Sequence, residues 1–198
     1  MLKMILSAIF LLGLYTNAFA AVGCSLDDPD RDVKKLFPES SGYKTTFVTL
    51  KEIGGEAIKK EIEARLGDTF DSIYENLDVP YAYYTVLKGK DPIGYIHGVN
   101  QKGKFGVLQL VLATDLQGKA IAFYYQKISS PESAKFRAVD FTGQFKGLTL
   151  SDFAQRTAKV IDPSASSAED FKATLRGLKK NLILLDLFLH VQGHQGGK

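Results

Sequence analysis

Gly94-Tyr-Ile-His-Gly-Val99, Phe105-Gly-Val-Leu-Gln-Leu-Val-Leu-Ala-Thr114 and Ala120-Ile-Ala-Phe-Tyr-Tyr-Gln126 follow one another inside the stretch from Gly94 to Gly147. β-Branched, aliphatic and aromatic residues dominate all three, which is strand composition. Asn100 to Lys104 reads as a turn and Asp115-Leu-Gln-Gly-Lys119 as the next, so each strand returns antiparallel to the one before it. Three strands joined in this way make a meander, and the rest of the chain leads into it or closes over it.

Toward the N-terminus, Tyr81-Ala-Tyr-Tyr-Thr-Val-Leu87 and Tyr43-Lys-Thr-Thr-Phe-Val-Thr-Leu50 add two further strands. Between them Ala57, Ile58, Ile62 and Leu66 recur at helical spacing, and Gly67 ends that amphipathic helix. Asp68 to Pro80 has no clear period. Val33 to Pro38 reads as a short helix stopped by its proline. Toward the C-terminus, Ser129-Ser130-Pro131-Glu132 has the form of a helix start, leading to a short helix over Ala134 to Asp140. Leu148 to Phe153 reads as a brief strand or turn. A last helix from about Ala168 to Leu189 presents Phe171, Leu175, Leu178, Leu182 and Leu185 on one face, and residues 193–198 form a loose tail. The fold class expected is α+β, an antiparallel sheet flanked by helices.

Residues 1–20 follow the export pattern: Lys3 supplies charge, Met4 to Tyr15 an apolar run, and Ala18-Phe19-Ala20 a cleavage site. A second reading extends the signal to residue 23, because Ala21-Val-Gly-Cys24 places the only cysteine where a lipoprotein carries its lipid. Both readings put the protein outside the cytoplasm, periplasmic or membrane-anchored, and one cysteine allows no internal disulfide. Residues 21–32 read as a tether and 33–192 as one domain, within the roughly 100 to 200 residues usual for one core. The net charge of +3 is small and its cations are mixed with acids, which argues against nucleic acid as a partner.

His97, His190 and His194 are too scattered for a metal site, although the last two have the i, i+4 spacing that puts rings on one face of a helix. Ser164, Ser166 and Ser167 form a serine loop with no base nearby in sequence, so capping of the last helix outweighs nucleophilic catalysis. Asp27 and Asp28 sit in the tether, where solvation accounts for them. The tyrosines at 81, 83, 84, 124 and 125 suit strand faces, or stacking on a flat ring.

Gly94-Tyr95, Gly103-Lys-Phe-Gly106, Asp115 to Gly118 and then Phe141-x-x-Gln144-Phe145-x-Gly147 stand in one order. In that order they resemble the extracytoplasmic FMN-binding domain. That family includes the flavin-carrying subunits of Rnf and sodium-pumping quinone reductase complexes and of NosR-type membrane proteins. The likeness runs from Leu36-Phe-Pro38 to the last helix. Two departures stand out. Ser129-Ser130-Pro131 lacks the acid of the family's Glu-Ser or Glu-Thr-Pro step. Asp162-Pro-Ser-Ala-Ser-Ser167 occupies the place of a Ser-Gly-Ala-Thr-x-Ser motif whose threonine is esterified by the FMN phosphate, and the acceptor position falls on Ala165, Ser166 or Ser167. Loss of the glycine reshapes the phosphate pocket, since proline and serine do not reach the backbone angles open to glycine.

The resemblance therefore implies an FMN held non-covalently. Phe141 and Phe145 would shape its ring pocket and Gln144 its polar edge. Ser129, Ser130 and Gly147 would stand near it, and Ser164, Ser166 and Ser167 with the helix N-terminus would receive the phosphate. The implied role is an electron-transfer accessory of membrane-bound redox proteins rather than a stand-alone enzyme. The alternative is a flavin-free member acting as a structural or partner-binding lipoprotein, with Phe141 and Phe145 simply in the core.

Overall fold

A computed structural model describes the backbone of residues 23–195 and the side chains of residues 25–190. The fold is α+β. Five strands, β2 (Gly42–Val48), β3 (Tyr81–Lys88), β4 (Asp91–Gly103), β5 (Gly106–Thr114) and β6 (Ala120–Ile128), lie in sequence order, each antiparallel to the next. A two-residue strand, β1 (Gly23–Cys24), pairs with β4 at Val99 and Gly98. It lies beyond the start of β3, where the longer β4 would otherwise present an open edge. The export signal lies outside the described residues, as does the side chain of Cys24.

Alternation along the strands divides the interior into two cores. Tyr81, Tyr83, Leu108, Leu110, Leu112, Phe123 and Tyr125 face one side, where α2 (Glu56–Leu66) and the 28-residue α6 (Ala168–Gln195) cover the sheet. Ala82, Tyr84, Val86, Ile96, Val111 and Ala113 face the other, against Leu26, Val33 and Phe37 of the N-terminal segment. α6 lies close because Gly177 has no side chain: a Cβ there would stand 2.3 Å from Leu110 Cδ1 and 3.3 Å from Gln101 Cβ. Leu178, Leu182 and Leu185 are buried as the helical spacing predicts, and Ile183, Leu184, Leu187 and Phe188 are buried as well. α2 packs alongside α6, with Lys179 Nζ donating to Leu66 O at 3.0 Å and Arg65 paired with Asp186 at 2.5 Å.

Three elements differ from the sequence expectation. The presumed tether is docked: α1 spans Pro29–Leu36, and the Asp28 side chain accepts from Arg31 N at 3.1 Å. Leu26 is buried with its N–H on Tyr84 Oη at 3.0 Å, and Asp27 N donates to Gln126 Oε1 at 3.1 Å. The turn expected over Asn100 to Lys104 is instead strand through Gly103, closed by Lys104 and Phe105 alone, because Gly103 pairs with Gly106. Gly106 takes φ +131, which relieves the tight reversal. α6 runs through Gly193 to Gln195, three residues into the expected tail.

Gly177→Ala is expected to destabilise the fold by up to about 2 kcal/mol, because overpacking against Leu110, about 1–3 kcal/mol, outweighs the helix propensity gained, which is about 1 kcal/mol. Thermal melts of the variant check it. An unchanged or higher midpoint would mean that α6 does not sit this close to the sheet.

Candidate functional site

The chain between β6 and α6 builds a cap of short helices over the end of the α6-side core. Ser130 Oγ accepts from Glu132 N at 3.3 Å, and α3 (Ser133–Arg137) begins after Glu132, later than the Ser-Ser-Pro pattern suggests. Ala138, at φ −59 and ψ 141, breaks the single helix expected here into α3 and α4 (Val139–Thr142). A 3-10 turn over Gly143–Phe145 follows. Gly147, at φ +80, turns the chain back so that its N–H reaches Ala120 O at 2.7 Å, and Arg156 of α5 (Phe153–Thr157) donates to Gly147 O at 2.5 Å.

Edge-to-face rings hold this cap down. Phe141 lies 5.5 Å from Phe136, 5.4 Å from Phe145 and 6.1 Å from Phe171, and Phe123 lies 5.1 Å from Phe145. Each such pair contributes about 0.5–1.5 kcal/mol beyond burial. Phe145 is fully buried in that cluster, so its ring packs the core and lines no opening. Phe141 is also in the core, yet it forms the floor of a depression of about 540 Å³ shared with Lys135, Ala138, Asp140, Gln144, Ile161 and Pro163.

Gln144 is at the rim, its Oε1 accepting from Ile161 N at 2.8 Å, so it ties the serine loop to the cap. Beyond Pro163 the loop folds on itself. Ser164 N donates to Asp162 Oδ1 at 2.8 Å, the Ser164 and Ser166 hydroxyls are 2.9 Å apart, and Ser167 N donates to Ser164 O at 2.9 Å. Ser167 Oγ is buried at the start of α6 without a partner. Hydrogen bonding from Lys135 holds the Glu132 carboxyl below its usual range against a smaller opposing effect of desolvation, and the Ser164 hydroxyl adds to the effect. Ser130 and the serine loop thus meet through Glu132. Ser129 sits apart, packed on Gly106, and Gly147 supports the cap without lining the depression.

The floor of this depression, with Ala138, Phe141, Ile161 and Pro163, is apolar as a flat ring would require, while Ser164, Ser166 and Ser167 do not line it. At the phosphate end the donors are the Ser166 hydroxyl, which is exposed, the unpartnered Ser167 hydroxyl and the first N–H groups of α6. Asp162 takes the Ser164 N–H, and Glu169 and Asp170 stand in the first turn of α6, so the positive potential there is reduced. Lys135 is the one cation lining the depression. A larger depression of about 720 Å³ lies beside Leu116, Leu150, Leu182, Leu185 and Leu189. Its Asp186 and His190 are bonded to one another, and the Asp115 to Gly118 turn lines it through Leu116, Gln117 and Gly118.

A second cluster has no counterpart in the sequence reading. Under α6, Asn181 Nδ2 donates to His97 O at 3.0 Å, and its Oδ1 accepts from His97 Nδ1 at 2.9 Å, which leaves the buried Nε2 unpartnered. Lys180 Nζ donates to Asn100 O at 2.7 Å and to Glu75, which also receives Arg176 at 2.8 Å. Burial pushes the Glu75 carboxyl up, but the Arg176 hydrogen bonds and the Lys180 charge outweigh it and hold the group below its ordinary value. The only signal in the sequence was the row Asp170, Thr174, Gly177, Asn181, which follows helical spacing and lies among leucines. Among the described residues no three His, Cys, Asp or Glu side chains are grouped to hold a metal, and the side chain of His194 lies outside them.

Burial lowers the His97 imidazole to about 4 from the usual 6.5. Between those values the unfolded chain holds a proton that the native state does not, so stability falls as pH drops through that window, by about 3 kcal/mol. Melting midpoints from pH 7 to 4 should show this slope, and His97→Gln should flatten it relative to wild type. Comparison of the chain with protein-family models, with curated proteins and with solved structures gives no match.

Proposed function

We propose that the cap depression holds the ring of a non-covalent FMN, and that the protein is an exported electron-transfer accessory of a membrane-bound redox system. The observation that carries this reading is convergence. Phe141 and Gln144 of the cap meet Ile161 and Pro163, which lead into the serine loop, around one half-open apolar depression. In this arrangement Phe141, Ile161 and Pro163 exclude water from one ring face. Gln144 positions the loop through Ile161 N, and its amide nitrogen is the group nearest in kind to a ring-edge donor. Lys135 places a positive charge at the mouth of the depression. Ser166, Ser167 and the first turn of α6 receive the phosphate. Bound flavin would supply the redox chemistry, and the chain would set its potential through burial and these polar groups.

A flavin-free partner-binding module is the second reading. Ile161, on the wall of the depression, is 73% exposed, and Val139, between two residues that line it, is 80% exposed. Two aliphatic side chains held in water at one rim suit a protein surface as well as a ring.

Protein exported with its own signal in a host that carries flavin transferase should purify yellow and release its flavin into the supernatant on acid precipitation. FMN should bind the stripped protein more tightly than riboflavin, by roughly tenfold, the order of one or two hydrogen bonds to a charged group. Ser166→Ala combined with Ser167→Ala should abolish that preference. Flavin retained in the acid pellet would mean covalent attachment at the serine loop. A colourless protein that takes up no added FMN would leave the partner-binding reading.

A further inference from the structure

From Gly67 to Pro80 the chain crosses from the end of α2 to the start of β3 with neither helix nor strand. Irregular segments of this length are uncommon inside compact domains. Its apolar anchors are weak: Phe70 and Leu77 are half-buried, and Ile73 is 66% exposed. The one buried residue of the segment is an acid, Glu75. Its side chain reaches between α6 and β4, where both carboxylate oxygens are taken up. Oε1 accepts from Arg176 Nη1 at 2.8 Å and from Lys180 Nζ; Oε2 accepts from Arg176 Nη2 at 3.1 Å and from Asp71 N at 2.6 Å.

Apart from Asp71 N, the groups that hold this carboxylate belong to α6, and each has a support on β4 that is independent of the segment. Arg176 is braced by Gln101 Oε1 at 2.8 Å, and Lys180 by Asn100 O at 2.7 Å. The receptor for Glu75 therefore stays in place if the segment leaves. Arg176 also holds Asp68 through Nε at 2.7 Å and Thr69 O through Nη2 at 2.8 Å, so one guanidinium carries the start and the middle of the crossing, and Lys51 N holds Leu77 O at 3.0 Å near its end. The remaining ion pairs, Lys51 with Asp78 and Lys102 with Asp71, are on the surface, where each contributes under about 1 kcal/mol. Desolvation of a buried ionic cluster largely offsets its attraction, so such a latch is weak compared with the apolar core under the sheet.

We infer that Gly67–Pro80 is a strap latched by the buried carboxylate of Glu75 in a carboxylate-binding slot on α6, with the exposed Asp68 on the rim of the same guanidinium, and that it opens as a unit while sheet and α6 stay folded. An open strap leaves Arg176 and Lys180 facing solvent without a counter-charge. The slot then takes a carboxylate from outside the segment. This holds with or without a flavin in the cap.

Native-state hydrogen exchange on the full chain tests the strap. Amides of Asp71, Tyr74 and Glu75, bonded within the segment, should exchange in the wild type through an opening almost independent of dilute urea. Amides of Leu110 and Leu112 on β5 should exchange only with the urea dependence of global unfolding. Glu75→Gln should speed the strap amides by roughly tenfold or more and those of β5 by no more than the same factor, since global unfolding also breaks the latch, while β5 keeps its steep urea dependence and the strap amides do not acquire it. For the slot, sodium acetate should raise the melting midpoint of Glu75→Ala above that in sodium chloride of equal ionic strength, with no such difference for the wild type. Equal urea dependence of strap and β5 amides in the wild type overturns the strap, even if no variant folds. Acetate acting no better than chloride on Glu75→Ala overturns the slot.

Discussion

Asn181 and Lys180, adjacent on α6, donate to the main-chain carbonyls of His97 and Asn100 on β4, and most of the structure depends on that contact. It sets how the helix lies on the sheet, because a buried amide or ammonium without an acceptor costs several kcal/mol. Gly177, one turn earlier, lets the helix approach closely enough for those bonds to form. The apolar residues around them fill the space but would tolerate sliding by a turn. The polar pair would not, and it supplies the register that leucines alone leave open.

The two ends of α6 then carry different chemistry. Its first turn, with Ser167, faces the cap, which is fastened by the ring cluster around Phe141 and by the Gln144 bond to the serine loop. Further along, Arg176 and Lys180 hold Glu75 and so decide where the irregular crossing from α2 to β3 lies. Acids stand at the first turn and cations in the middle of the helix. The depression in the cap therefore relies on hydroxyls and apolar walls more than on charge, whereas the slot under the crossing is strongly cationic once Glu75 is set aside.

The meander was legible because its signal is local. The run of β-branched and aliphatic residues over β5 and the Asp115 to Lys119 turn, closed by Asp115 Oδ1 on the N–H groups of Gln117 and Lys119, need nothing from the rest of the chain. α2 was legible for the same reason: its apolar spacing and the left-handed Gly67 at its end are both written in consecutive residues. The Leu26 to Arg31 stretch was misread because polar composition suits a tether and a docked segment equally. Only Tyr84 and Gln126, some 58 and 99 residues away, distinguish them.

By itself, the sequence determined the class of fold and the meander of its last three strands, since periodicity and turn chemistry act between near neighbours. Tertiary structure alone decided which side chains of the cap face an opening. Phe145 and Phe141 have the same chemistry and both are buried beside Phe123, but only Phe141 borders the depression with Ile161. It alone decided also that Glu75, Arg176, Lys180, Asn181 and His97 form one buried cluster. Their charges could not be interpreted along the chain, because the cost of burying an ion and the partner that offsets it are both set by residues distant in sequence.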